Sequence, residues 1–281
     1  MNTRKTPLLA GLLGNALEWY DFILYANFAT IIARLFFPNE NPTVALLLTF
    51  GIFASSFLVR PLGAVLFGYI GDHLGRRIAL ITSISLMSVP TLLIGFLPTY
   101  ASTGIAAPIF LLILRLLQGI AISGELNSAA TFLVEHAKKN RRGLAGSLVM
   151  GTVFFGALIG AALSTLLTVI LTPEALASWG WRLLFVLGGL AGVTGLIVRL
   201  RMQESARFLS QKETAKRLPL SYVFVNYPKQ MCIAIALTSI MAVGNHTIFA
   251  YVMTFLVKFT HLTTEQANII NLLGFVVIVL L

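Results

Sequence analysis

Apolar runs of about 20 residues, long enough to cross a bilayer as helices, recur along almost the whole chain. They predict spanning helices at roughly 11–36, 45–70, 78–98, 105–134, 144–171, 181–201 and 230–257, with an eighth beginning near 265 and running to Leu281. The polar connections alternate in charge. FPNENPT, PTYASTGIAAP, TPEALASWG and THLTTEQ contain no Lys or Arg. The amino terminus (Arg4, Lys5) and the connections between them are basic: Arg76 and Arg77; Lys138, Lys139, Arg141 and Arg142; then Arg199, Arg201, Arg207, Lys212, Lys216, Arg217 and Lys229. Excess Lys and Arg mark cytoplasmic loops, so the amino terminus and every basic connection are expected in the cytoplasm. The fold class is therefore all-α, a polytopic membrane protein. The longest polar stretch, 202–229, divides a six-helix transmembrane half (1–201) from a partial second half (230–281). Six spans, a long cytoplasmic connection and further spans is the plan of a two-half transporter.

Composition agrees. The chain is 57% hydrophobic and 11% charged, whereas soluble domains carry roughly 25% charged residues. The net charge of +10 sits in short loops, so it reports topology and not nucleic-acid binding. Cys232 is the one cysteine, which excludes an internal disulfide and a cysteine metal site, and no metal is expected. MNTRKTP leads directly into a long span holding Glu18 and Asp21, so no removable signal peptide is expected.

Those two carboxylates, in GNALEWYDFILY (14–25), need a reason. A charge at the bilayer centre costs at least ~2.5–3.5 kcal/mol. Glu18 and Asp21 are three apart and Tyr25 lies four beyond, so they form one stripe, which Asn15 extends. In the fourth span Arg115, Gln118, Ile122 and Glu125 follow at spacings of 3, 4 and 3 and share a second face. Such stripes avoid lipid. They are expected to line one hydrated cavity, together with Asn245 of the seventh span. A carboxylate there can take a proton from one side and release it to the other, while Arg115 attracts an anionic group. That is the chemistry of proton-coupled transport. The competing reading is an interhelical ion pair that only fixes packing. Arg34, Arg182 and Lys258 lie near span ends, where long side chains snorkel. Arg60, directly before Pro61, is open to packing or function.

The second loop reads GYIGDHLGRR (68–77). Gly68 permits close approach of another helix. Asp72 ends a helix and can meet a positive helix N-terminus, and Gly75 suits a tight turn. Arg76 and Arg77 can pair with Asp72 or with Glu135 at the end of the fourth span. With Arg142 these residues form the expected cytoplasmic gating loop. The decapeptide resembles the loop signature of the major facilitator superfamily, and RLLQG (115–119) resembles its fourth-helix motif. GNALEWYDFILYANFATIIARLFFP (14–38), QGIAISGE (118–125), WGWRLLFVLG (179–188) and RMQESARFL (201–209) resemble the metabolite:proton symporter family, which carries proline and betaines, 2-oxoglutarate, citrate, shikimate and similar compounds. The sugar porters share the WGWR and ESARF types of stretch. The resemblance implies a twelve-helix fold with a central site between two halves and rocker-switch alternating access. Here it implies the amino-terminal half plus the first one to two helices of the second. The implied function is symport of a small polar or anionic metabolite, with the proton as coupling ion and no other cofactor. The implied partners are the metabolite, the proton, the lipid of a bacterial inner membrane and a missing carboxy-terminal half. A sugar-porter-like facilitator is the alternative.

Three departures stand out. His73 replaces the usual basic residue of the loop signature, which weakens the charge of the gating loop at neutral pH. Leu126 and Asn127 follow Glu125 where the family has a glycine-rich stretch with an aromatic. In the fifth helix, only Gly156 and Gly160 among Gly151, Gly156 and Gly160 have small-xxx-small spacing. The apolar run reaching Leu281 has no closing charges, so four helices of the family plan are expected to be absent and the chain alone is expected not to transport. No H-E-x-x-H, phosphate loop or G-x-S-x-G occurs, so a membrane enzyme is not expected. His246 and His261 are lone histidines, read as structural or substrate-lining. A channel or scaffold is disfavoured by the lack of filter repeats and by short loops.

Overall fold

The computed structural model describes residues 6–38, 41–201 and 220–246, with Glu204 and positions 260, 270, 273, 274, 276 and 277. Its elements among the described residues are all helical. The first expected span is α1 (Thr6–Asn27) followed by α2 (Ala29–Phe36). Their hydrogen bonds run on through the junction, from Phe28 N–H to Leu24 O (3.0 Å) and from Ile32 N–H to Phe28 O (2.9 Å). The second span divides at Val59 into α3 (Pro42–Leu58) and α4 (Arg60–His73). Pro61 has no N–H for the carbonyl four residues back, which breaks the rod there. Then follow α5 (Arg76–Phe96), the short turn α6 (Tyr100–Thr103), α7 (Ala106–His136), a 3₁₀ turn at Lys139–Arg141 and α8 (Arg142–Ile170). The short α9 (Pro173–Ala175) and a π-helical turn (Leu176–Gly180) lead into α10 (Trp181–Leu200). Beyond come α11 (Leu220–Asn226) and α12 (Pro228–His246). The chain divides into two compact units, Met1–Leu209 and Ser210–Leu281. The stretch 202–229, expected as a loop, thus contains a helix at Leu220–Asn226.

Five helical stretches among the described residues are long and apolar enough to cross a membrane: Pro42–His73, Arg76–Phe96, Ala106–Glu135, Lys139–Ile170 and Pro173–Leu200. These coincide with the second to sixth expected spans. The stretch α1–α2 is not among them, since Asn15, Glu18 and Asp21 dilute its apolar character. Its surroundings explain how it tolerates them. Within the first unit α1 packs against α8, α10, α7 and α5, so its polar face meets helices. Gly156 and Gly160 of α8 let the two rods touch. A Cβ at Gly160 would stand 2.9 Å from Tyr20 O, and one at Gly156 would strike the Ala16 carbonyl. A Cβ at Gly151 would meet nothing within 4 Å. Apolar packing of Tyr20, Leu24, Phe28 and Ile32 against Ile94, Leu111, Trp181 and Phe185 fills one end of the bundle. Leu58, Leu62 and Val169 point outward, exposed by 68–80%, as lipid-facing residues do. Arg182, expected to snorkel, instead donates from Nη1 to Gly95 O (3.1 Å) and Leu97 O (2.6 Å), joining the start of α10 to the end of α5.

Candidate functional site: a buried polar core

Two nests of polar side chains lie between α1, α5, α7 and α10. The first is centred on Asp21, which is fully buried. Arg115 donates from Nη1 to Asp21 Oδ2 at 2.5 Å. Thr91 Oγ1 and Gln118 Nε2 each donate to Oδ1 at 3.1 Å, and Gln118 Nε2 also reaches Thr91 Oγ1 at 2.8 Å. The guanidinium carbon of Arg115 stands 4.0 Å above the Tyr25 ring, a stacking worth about 0.5–2 kcal/mol. Tyr25 in turn donates to Thr49 O (2.9 Å), which fixes the ring. Nε and Nη2 of Arg115 and Oε1 of Gln118 have no hydrogen-bond partner among the described residues. The first-span and fourth-span stripes therefore meet in space: Asp21, Tyr25, Arg115 and Gln118 form one contact group, completed by Thr91.

The second nest holds Glu125. Arg199 grips it two-pronged, Nη1 to Oε2 at 2.8 Å and Nη2 to Oε1. Ser83 donates to Oε2, and Arg199 Nη1 also reaches Leu80 O at 2.5 Å. Parallel N–H···O pairs of this kind are strong and directional. Gly14 makes the seat possible, because a Cβ there would fall on the Glu125 carboxylate and the Arg199 guanidinium.

Glu18 lies one helical turn from Gly14, 5% exposed. With Gly14, Ser83, Ile122 and Glu125 it lines a cavity of about 10 Å³, the space of about one water molecule. Arg60 spreads its guanidinium over the Phe57 ring (4.1 Å) and the Phe22 ring (5.3 Å). Asn15 is fully buried, and neither side-chain atom has a hydrogen-bond partner among the described residues. The side chain of Asn245 lies outside the described residues.

Two expectations change. The core of the first unit contains more than one guanidinium, because Arg199 is fully buried inside α10 and is not a loop charge. Its position at the end of an apolar run, two residues before Arg201, made it look like part of a basic loop. A signal was present: Trp181, Leu184, Gly188, Gly192, Gly195 and Arg199 follow at helical spacing and form the buried face of α10. The second change concerns the stripes, whose members touch one another directly among the described residues. Direct contacts close them into two nests, with Thr91 and Ser83 of α5 supplying hydroxyls that spacing arguments on α1 and α7 did not include.

At the loop, Gly75 takes φ +114° and turns the chain into α5. Arg76 pairs with Asp72 at 2.9 Å, a half-exposed contact. Arg77 turns to the end of α10. Its backbone N–H donates to the Glu204 carboxylate (3.1 and 3.4 Å) and its Nη2 to Leu200 O (2.7 Å). A carboxylate thus faces the positive N-terminus of α5. Glu135 Oε2 has no hydrogen-bond partner among the described residues, and Arg142 is exposed at the start of α8. A Cβ at Gly68 would meet nothing within 4 Å. His73 stacks on Tyr69 with ring centroids 3.9 Å apart.

Membrane-length helices packed around a charged core, with a G-x-x-x-D-x-x-G-R-R turn on one side, define a polytopic protein of the major facilitator type. The pattern of the sugar (and other) transporter family matches residues 8–218, and the chain belongs to that family. Among its relatives, a putative proline/betaine transporter of Staphylococcus haemolyticus is 37% identical over 270 residues, covering 94% of this chain and 58% of that protein. The inner membrane metabolite transport protein YhjE of Escherichia coli is 36% identical over 257 residues, covering 90% of this chain and 57% of that protein. The shikimate transporter of Escherichia coli is 36% identical over 242 residues, covering 84% and 55%. The chain thus spans little more than half the length of these relatives. The xylose transporter XylE from E. coli, in a partially occluded inward-open conformation, aligns with a TM-score of 0.73 at 17% identity, over 99% of this chain and 71% of its own. That likeness concerns the fold.

Proposed function

We propose that this chain supplies the amino-terminal part of a proton-coupled symporter for a small polar or anionic metabolite. It works by alternating access in a bacterial inner membrane, with the amino terminus and the basic loops cytoplasmic. The observation that carries the reading is the charged core: Asp21, Glu125 and Glu18 buried with Arg115 and Arg199 in helices that otherwise pack apolar residues. Charges taken out of water at such cost are kept for ion or substrate pathways. Nε and Nη2 of Arg115 have no hydrogen-bond partner among the described residues, and such N–H groups suit a carboxylate or a similar acceptor on the metabolite. The coupling ion is the proton, and no other cofactor takes part. Relatives named for proline/betaine and shikimate transport point to metabolites bearing a carboxylate.

The test joins these 281 residues to the remaining carboxy-terminal helices of the Staphylococcus haemolyticus relative and reconstitutes the whole-length protein in proteoliposomes. An imposed inward proton gradient should drive accumulation of glycine betaine, proline or shikimate, and a protonophore should abolish it. The 281-residue chain alone should show no uptake. Uptake by the joined protein that ignores the protonophore would contradict proton coupling.

A further inference from the structure

Three arginines of the spans hold oxygen acceptors. Arg115 holds Asp21, Arg199 holds Glu125, and Arg182 holds two carbonyls at the end of α5. Arg60 is placed differently. Its backbone is pinned to α7, where Ser123 Oγ donates to Arg60 O at 2.7 Å. Gly63 lets α4 lie close against α7 at the same point, since a Cβ there would strike Ile120 O. The side chain reaches the other way, to α3 and α1. Its guanidinium carbon stands 4.1 Å from the Phe57 ring centre and 5.3 Å from that of Phe22. Its Nε is buried without a hydrogen-bond partner, and neither Nη atom makes a hydrogen bond or ion pair among the described residues. Glu18 acts on it through space only.

The rings beneath Arg60 form a ladder. Phe53 and Phe57 lie one turn apart on α3, facing Phe22 and Tyr25 of α1. Ring centroids are 5.0 Å apart for Phe22–Phe53, 5.7 Å for Phe22–Phe57, 5.6 Å for Phe53–Phe57 and 5.5 Å for Tyr25–Phe53. A guanidinium caps each end: Arg60 on Phe57 and Phe22, Arg115 on Tyr25 at 4.0 Å. Aromatic faces of this kind are what a quaternary ammonium needs. Here guanidiniums occupy them, and what the two arginines offer a solute is N–H donors in a planar fork, which suit a carboxylate. A cation kept inside a span without an acid in contact points to function by default.

Resting on the carrier reading above, we propose that Arg60 is a specificity-determining residue, which selects metabolites of net negative charge over zwitterions that carry a quaternary ammonium. The aromatic shelf holds the guanidinium fork in place, and a carboxylate of the metabolite takes its N–H groups. A quaternary ammonium meets a guanidinium instead, on ring faces that are already taken. Of the solutes for which the relatives are named, shikimate, an anion, fits this arrangement and a betaine does not.

The test has two arms, both on the joined, whole-length protein. The first is solute counterflow in proteoliposomes with no proton gradient imposed, which reads selectivity whether or not a proton is coupled. The apparent affinity for shikimate divided by that for glycine betaine should fall at least about tenfold in Arg60→Gln, the scale of one lost hydrogen bond to a charged group. Arg60→Lys keeps the charge and loses the fork, so its ratio should lie between. An unchanged ratio in Arg60→Gln overturns the proposal, also where both affinities fall together, as damage to packing would make them do. The second arm needs no transport. In detergent, shikimate should raise the unfolding midpoint more than glycine betaine at the same concentration, and Arg60→Gln should lose that difference while still unfolding cooperatively. Equal shifts from the two solutes in the wild-type protein, or a difference that survives in Arg60→Gln, overturn the proposal. Uptake indifferent to a protonophore, with the ratio shifted in Arg60→Gln, defeats proton coupling and leaves the role of Arg60 standing.

Discussion

Asp72–Arg76 and Glu125–Arg199 are the same chemistry in opposite surroundings. The first closes at 2.9 Å within one helix-turn-helix, with its side chains 64% and 25% exposed. The second joins α7 to α10, with side chains 5% and 0% exposed. An exposed pair exchanges good hydration for modest attraction and is worth about 0–1 kcal/mol. A buried pair gives up far more hydration, so it adds little net stability, yet losing one member strands the other and costs about 3–5 kcal/mol. The loop pair is thus free to break and reform, whereas the core pair binds α5, α7 and α10 together through Ser83, Glu125, Arg199 and Leu80 O.

The sharpest way to break this contrast is Arg199→Gln. It leaves Glu125 buried with only Ser83, so the 281-residue chain should lose about 3–5 kcal/mol, read as a large fall in its thermal unfolding midpoint in detergent. A change no larger than that of a surface arginine would remove the contrast. Next is Gly14→Ala, whose Cβ would collide with the Glu125 and Arg199 side chains. Overpacking of this kind costs about 1–3 kcal/mol, and the same unfolding measurement should show a smaller but clear drop; an unchanged midpoint would mean that the nest relaxes freely. The least effect is expected from Asp72→Asn, under about 1 kcal/mol, falling further as salt is raised. A loss as large as that of Arg199→Gln would make the loop a structural clamp.

Much of this core was legible in residue spacing. Glu18, Asp21 and Tyr25 on one helix and Arg115, Gln118 and Glu125 on another had to share faces, because 3.6 residues per turn allows nothing else. The second to sixth spans were equally plain among the described residues, since ~20 apolar residues between polar connections leave little freedom. Partner choice was not legible. Spacing shows which side chains point the same way along one helix and is silent on which helix stands opposite. Arg199 was hidden because a basic residue at the end of a span has an ordinary topological explanation, and only its membership of the Gly188–Gly192–Gly195 face set it apart. Thr91 and Ser83 were hidden because isolated hydroxyls in apolar helices usually bond to a carbonyl of their own helix, and Met87 O and Leu80 O lie within reach as competing acceptors here. The helix at Leu220–Asn226 (LSYVFVN), within a stretch read as a polar connection, shows a further limit: at seven residues it is too short to register against the ~20-residue apolar runs that mark a span.

The most direct measurement is a double-mutant cycle on Glu125 and Arg199, using Glu125→Met, Arg199→Met and both together, scored by unfolding of the 281-residue chain in detergent. Each single change should be strongly destabilising, and the double change should recover most of the loss, because two apolar side chains leave no stranded charge. If the double variant instead loses the sum of the two single losses, Glu125 and Arg199 act independently and the buried pair does not organise this core.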